Sequence, residues 1–274
     1  MSIKKDPSGC RSVQIEIEVP GTPEEVWQAI ASGPGISSWF VPTRSEERAG
    51  GEVVSTFGPG MDCPATITAW EAPKRFVVEG TMGPPDSPKV ATEWSVEARA
   101  GGVCIVRVVH SLFASNDDWD GQLTGLEQGW PTYFRILRLY LERHKGLSCS
   151  AMHFVAFSSE TESAAWEKAG GALALLGLSQ GQRWSAPRGF PALGGVVDRL
   201  GHGMHSNTIL LRVDDPAPGS AYLGAFSCGG MVMVCMSVYL YGEQAAAIAA
   251  EETPRWDAWF QRQFPAAAAR TDGN

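Results

Sequence analysis

The chain has 274 residues, of which 44% are hydrophobic and 19% charged, with a net charge of −8. That is ordinary globular composition for one large domain or two modest ones, with enough chain to bury a core unaided. The acidic balance excludes a phosphate-binding surface for nucleic acid and disfavours docking on an anionic membrane.

The six cysteines show no CxxC spacing, so free thiols, mostly buried, are expected in a reducing compartment. Met1 to Arg11 is polar and lacks an apolar core, so a secretory signal is not expected and the expected location is cytoplasmic. The longest apolar run, Met231 to Tyr241, falls well short of the ~20 residues of a membrane-spanning helix.

In chain order, Val13, Ile15, Ile17 and Val19 alternate with polar residues, which predicts a half-buried strand. Thr22, Pro23 and Glu25 then make a capping box that opens a helix with Val26, Trp27 and Ile30 on its apolar face. Gly33-Pro34-Gly35 is expected to end it, with a short helix or turn over 36–40. Strands follow over 44–48, 52–57, 65–71, 75–81, 90–97 and 103–112, separated by Gly/Pro turns, which implies an antiparallel meander. A long helix over 118–145 carries Leu126, Trp130, Tyr133, Phe134, Leu137 and Leu141 on one face.

The order then begins again: a strand over 152–157, a helix over 160–176, a Gly/Pro-punctuated loop to 206, strands over 208–213, 222–226 and 231–241, and a helix over 243–264. Thr161 stands five residues before Trp166, as Thr22 does before Trp27, and Trp130-x-x-Tyr133-Phe134 is echoed by Trp256-x-x-Trp259-Phe260. Two matched anchors in one order predict a degenerate internal repeat, shorter in its middle.

Thr22-Pro23-Glu24-Glu25-Val26-Trp27, Ile36-Ser37-Ser38-Trp39, Gly50-Gly51, Glu71-Ala72-Pro73-Lys74-Arg75-Phe76, Val106 to His110 and Gly129-Trp130 together resemble the activator-of-Hsp90-ATPase-like family of the SRPBCC, or START/Bet v1-like, superfamily. The resemblance implies an α+β helix-grip fold: a curved antiparallel sheet wrapped on a long C-terminal helix. Two tandem modules are expected, 12–146 and a diverged, shorter 149–266. The family implies no single activity, since it includes lipid and polyketide binders, enzymes and co-chaperones.

In such a fold the ligand lies between sheet and helix, so the candidate binding residues are Trp39, Phe40, Met61, Trp70, Phe76, Trp94, His110, Phe113, Trp130, Tyr133, Phe134 and Leu137. Taken singly, each is better explained as core. His110 shares the strand face of Cys104, Val106, Val108 and Leu112, and so points inward. It is either an acid–base group working with Tyr133 or a hydrogen-bonded, inert histidine, and the latter is favoured because no second titrating group is placed beside it. Glu79 and Glu93 are expected in solvent, and Asp117, Asp118 and Asp120 at the long helix's N-terminus. The pair His202 and His205 lacks a third ligand, so no metal or cofactor is expected.

The leading expectation is a binder of a small hydrophobic molecule in the first module. A cyclase- or hydrolase-type enzyme using His110 and Tyr133, and a co-chaperone, are the alternatives. Met231 to Tyr241 is apolar on both faces, so it is expected at an interdomain or homodimer contact.

Overall fold

The computed structural model describes residues 3–5, 10–81, 87–113, 120–228 and 230–265. The chain divides after Gly146 into two compact units.

The first unit contains β1 (Lys4–Lys5), β2 (Cys10–Pro20), α1 (Pro23–Ala31), α2 (Gly33–Ser37), β3 (Thr43–Ser45), β4 (Glu52–Thr56), β5 (Asp62–Glu71), β6 (Arg75–Thr81), β7 (Lys89–Arg99), β8 (Val103–Phe113) and α3 (Asp120–Arg143). Its sheet is antiparallel in the order β1-β2-β8-β7-β6-β5-β4-β3. The first long strand therefore pairs with the last, and α3 packs back along β2. Alternation is strict on β8: Cys104, Val106, Val108, His110 and Leu112 are buried, while Arg107 faces out to Glu16 and Glu97.

Local chemistry fixes the helices. The Thr22 hydroxyl accepts from the Glu25 N–H, and the Glu25 carboxylate accepts from the Thr22 N–H at 2.9 Å. Glu25 also pairs with Lys145 at 2.7 Å, which ties the start of α1 to the end of α3. The Lys145 ammonium, then the Thr22 N–H, hold the Glu25 carboxyl below its ordinary range.

Helix α1 ends at Ala31, next to the Gly33-Pro34-Gly35 sequence as expected, but that sequence is not a loop before a helix at 36. It is the first turn of α2, capped by Ser32, whose hydroxyl accepts from the Gly35 N–H at 3.0 Å. Proline is harmless in a first turn, where its missing N–H would have had no partner. The long helix is also buried beyond its predicted face, because Ile136 and Leu139 are as enclosed as Phe134 and Leu137. The side chain of Leu126, and Asp117 and Asp118, lie outside the described residues.

The second unit contains β9 (Cys149–Ser158), α4 (Glu162–Ala172), β10 (Arg183–Ser185), β11 (Gly194–Leu200), β12 (Thr208–Asp215), β13 (Gly219–Cys228), β14 (Met231–Tyr241) and α5 (Ala245–Gln263). Its order, β10-β11-β12-β13-β14-β9, winds as the first sheet does, again pairing first strand with last. Both units are thus α+β, each an antiparallel sheet with a long C-terminal helix.

Strands β10 and β11 fall where a loop was expected. The misleading residues are Gly194 and Gly195, which read as turn glycines but are packing glycines. A Cβ on Gly195 would stand 1.9 Å from the Arg212 carbonyl oxygen of the next strand. Nor does β11 alternate, since Asp198 is buried beside Val197 and pairs with Arg212 at 3.2 Å. The thiols are also more varied than expected. Cys104 and Cys235 are buried, Cys63 is exposed, and the others are half-buried.

The two units match in detail. Thr161 caps α4 as Thr22 caps α1. The Gly50 N–H donates to the Ile67 carbonyl and the Ile67 N–H to the Gly51 carbonyl, both at 2.8 Å. In the second unit the Gly181 N–H donates to Val197 and the Val197 N–H to Gln182, at 2.8 and 2.9 Å. Gly50 and Gly181 share a left-handed φ of 77° and 84°, which favours glycine. A strand irregularity follows each contact, at Ile67/Ala69 and Val197/Arg199.

Each unit also anchors its first helix with an indole. The Trp39 indole N–H donates to the Ala29 carbonyl and that of Trp184 to the Leu173 carbonyl, both at 2.8 Å. The two tryptophans reach these sites by different routes, since Trp39 precedes the glycine turn and Trp184 follows its counterpart.

Strand β14 is internal to its sheet. Val232, Val234, Met236, Val238 and Leu240 join the core, and Cys235, Ser237, Tyr239 and Tyr241 on the other face are buried as well. No helix among the described residues is long and apolar enough to cross a membrane.

Replacing Trp39 or Trp184 by Phe keeps most of the ring but orphans a buried carbonyl. Each substitution is expected to cost about 1–3 kcal/mol in urea unfolding. Unchanged midpoints would show that these indoles are not anchors.

Candidate functional site

The site is built on the inward face of the first sheet and the facing side of α3. Register places Thr92 of β7 opposite His110 of β8, and His110 opposite Val13 of β2. Thr92 shares its face with Val90 and Trp94 by simple alternation.

His110 lies between two partners. Its Nδ1 is 2.9 Å from the Thr92 hydroxyl, and its Nε2 is 2.6 Å from the Trp130 indole nitrogen. An indole N–H only donates, so Nε2 is the unprotonated acceptor. Nδ1 therefore carries the proton and donates to Thr92. The result is a directed chain, Trp130 to His110 to Thr92, with the two rings stacked at 5.7 Å and 23°. Burial lowers the His110 pKa to about 4, so the ring is neutral at pH 7. Its one available lone pair is committed to Trp130. In this arrangement His110 holds Trp130, and both of its ring nitrogens are bonded, to Trp130 and Thr92.

An aromatic cluster extends from this chain. Trp130 stacks on Phe40 at 5.3 Å, meets Trp94 edge-on at 5.2 Å and tilts against Phe134 at 5.3 Å. Phe40 also meets Tyr133 edge-on at 4.7 Å and Phe57 at 5.7 Å. Trp39 touches both Phe40 and Trp94. The floor, Trp39, Trp94, Trp130 and Phe134, is buried, whereas Phe40, Phe57 and Tyr133 are only half-buried and face the surface. Leu137, one turn after Phe134, is fully enclosed.

Trp70 joins a separate group. It packs edge-on against Trp27 of α1 at 5.0 Å and against Phe76 at 5.6 Å. Phe76 stacks at 6.1 Å on Trp94 and links the two groups. Met61 stands half-buried in the turn before β5, where its N–H donates to the Gly58 carbonyl. The Phe113 side chain lies outside the described residues. Phe57 and Thr92 were missed. Alternation from Trp94 would have found Thr92, but nothing distinguishes Phe57 from a strand-end residue.

Glu93 faces outward and pairs with Arg75 at 2.8 Å, and Glu79 is exposed. His202 is exposed, and His205 packs edge-on against Phe226 at 5.5 Å. Among the described residues no three His, Cys, Asp or Glu side chains gather as a metal site.

In the second unit the corresponding helix face carries Trp256, Trp259 and Phe260, all buried, with Phe190 against both tryptophans. A void lined by Leu173, Trp184, Leu211, Leu223 and Met236 measures about 10 Å³. That is room for a single water at most, and its lining is apolar.

Residues 20–142 match the family model described as Activator of Hsp90 ATPase homolog 1-like protein. Among solved structures, CalU16 from Micromonospora echinospora is 19% identical, covers 52% of this chain and 83% of its own, and has a TM-score of 0.42. DynU16, from the dynemicin biosynthetic locus, is 15% identical over 91% of this chain and 95% of its own, with a TM-score of 0.43. The di-domain ARO/CYC BexL from the BE-7585A biosynthetic pathway is 12% identical over 94% and 100%, with a TM-score of 0.45. No curated protein matches the chain. The family match lies wholly within the first unit.

The histidine gives a pH prediction. The folded-state pKa of His110, about 4, lies below its unfolded value of about 6.5, so the unfolded chain binds the extra proton between them. Stability is complete above pH 6.5 and falls as pH drops toward 4, with His110 contributing on the order of 3 kcal/mol. His153 and His144, also lowered to about 4 by burial, add to the same slope. In urea titrations His110→Gln should flatten part of this slope. An unaltered slope would contradict a neutral, buried His110.

Proposed function

We propose that the first unit binds a small hydrophobic molecule between its sheet and α3, with Phe40, Phe57 and Tyr133 at the mouth and Trp94, Trp130 and Phe134 beneath. The observation that carries this reading is the gradation of that cluster, in which half-buried rings stand directly on buried ones. A packed core has no need of three aromatic rings at its rim, and water-exposed ring area is a standing cost that a ligand removes.

The polar content of the site supports binding over turnover. His110, its titratable group, is locked as a neutral acceptor for Trp130. General acid–base chemistry needs a group free to exchange a proton with substrate. The ligand's chemistry is therefore read as apolar and aromatic-compatible, held by ring contact and fixed in place by a rigid Trp130. The second unit, with its water-sized void, is read as structural.

The test is a titration with 1-anilinonaphthalene-8-sulfonate, a fluorescent apolar aromatic probe. Saturable binding to one site per chain is expected, with stabilisation of about 2.7 kcal/mol when the free probe is a hundredfold above its dissociation constant. Phe40→Ala should weaken binding about tenfold or more, whereas Trp256→Phe in the second unit should leave it unchanged. Equal effects of the two substitutions, or no saturable binding, would overturn the proposal.

A further inference from the structure

Each sheet has two edges, and three of these four ends carry features that discourage pairing with another chain. In the first unit, β3 is three residues long and contains Arg44. At the other edge β2 carries Arg11, Glu16 and Glu18, ends in Pro20 and is covered at its start by the two lysines of β1. In the second unit β10 is again three residues long and contains Arg183. Short strands, charges and prolines are the standard means of blunting an edge.

The fourth edge has none of them. β9 runs for ten residues, Cys-Ser-Ala-Met-His-Phe-Val-Ala-Phe-Ser, without an acidic or basic carboxylate, ammonium or guanidinium group and without proline. It pairs with β14 on one side, and among the described residues no strand pairs with the other. Its counterpart β2 shows that this topology readily accommodates charges at the position. His153 is no substitute for one, since burial lowers its pKa to about 4 and its Nδ1 is bonded to Ser237. Phe157, near the strand's end, is 37% exposed.

We infer that β9 is an interface with a second copy of this chain, the two β9 strands pairing antiparallel about a two-fold axis to join two six-stranded sheets. A second copy fits because antiparallel pairing of a strand with itself is the self-complementary arrangement a two-fold requires. With no formal charge on the strand, no like charges meet across the axis. In a nine-residue overlap centred on Phe154, Phe157 of one copy lies opposite Ala151 of the other on the same sheet face, where the small side chain leaves room for the ring. The contact belongs to the β9 edge and not to the β14 strand, which is already flanked by β13 and β9.

The full-length chain is tested by sedimentation equilibrium over a concentration series and by amide hydrogen exchange. A dimer is expected, with slow exchange at successive β9 amides; a monomer at every concentration, or fast exchange at alternate β9 amides, overturns the inference. Ala151→Lys with Phe157→Lys sets like charges opposite each other twice and should weaken association about tenfold or more. Ala151→Glu with Phe157→Lys sets opposite charges there and should keep the dimer. If the two double variants, both folded by circular dichroism, associate equally, the contact is elsewhere and the inference fails.

Discussion

The indole N–H of Trp130 is buried against a sheet whose backbone groups are already paired with one another. A donor in that position needs an acceptor, because leaving it without one costs about 1–3 kcal/mol. His110 supplies the acceptor, and in doing so its own protonation is fixed: Nε2 must be bare, Nδ1 must carry the proton, and Thr92 must stand opposite to receive it. One hydrogen-bond demand on a helix thus selects residues on two adjacent strands. It also fixes the height of α3 along the sheet, and with it the positions of Phe134 and Tyr133. Proline at 131 removes a helical hydrogen bond, so α3 depends on this packing more than its length suggests.

The rest of the first unit serves that placement. Glu25 closes the capping box of α1 and reaches Lys145 just beyond α3, so the two helices are tied at one end. The Trp39 indole fastens the turn after α2 to α1, which brings Phe40 over Trp130. The exposed face of the sheet carries ion pairs such as Arg75–Glu93 and Arg107–Glu16. Pairs this exposed contribute little to stability, and they keep that face in water while the aromatic residues collect on the other.

Where residues obey a simple period the sequence was readable. The alternation on β8 pointed His110 inward, the Thr22 capping box began α1, and the matched Thr and Trp anchors revealed the repeat. Reading failed where a residue's role depends on a neighbour distant in sequence. Gly195 looks like a turn until Arg212 is seen against it. Gly33 to Gly35 look like a loop between helices until Ser32 is seen to cap them as the first turn of α2. The partner of His110 was sought as a titrating group, whereas it is an indole twenty residues away with no charge to signal it. Phe57 carries no pattern at all, and only the fold brings it to Phe40. The second unit shows the same limit: the paired contacts of Gly50 with Ile67 and Gly181 with Val197 are near-identical, yet only the glycines are shared in sequence.

The central claim is that an apolar molecule enters between α3 and the sheet of the first unit and is held against a fixed Trp130. The most direct measurement is the nitrogen-15 NMR spectrum of the indole N–H groups, assigned by single Trp→Phe variants and followed as an apolar aromatic probe is added. The account predicts that the Trp94 and Trp130 resonances shift together and saturate at one equivalent, while Trp184 and Trp256 stay in place and the Trp130 proton remains hydrogen-bonded to His110. Movement of the second unit's indoles instead, or shifts that never saturate, would contradict it.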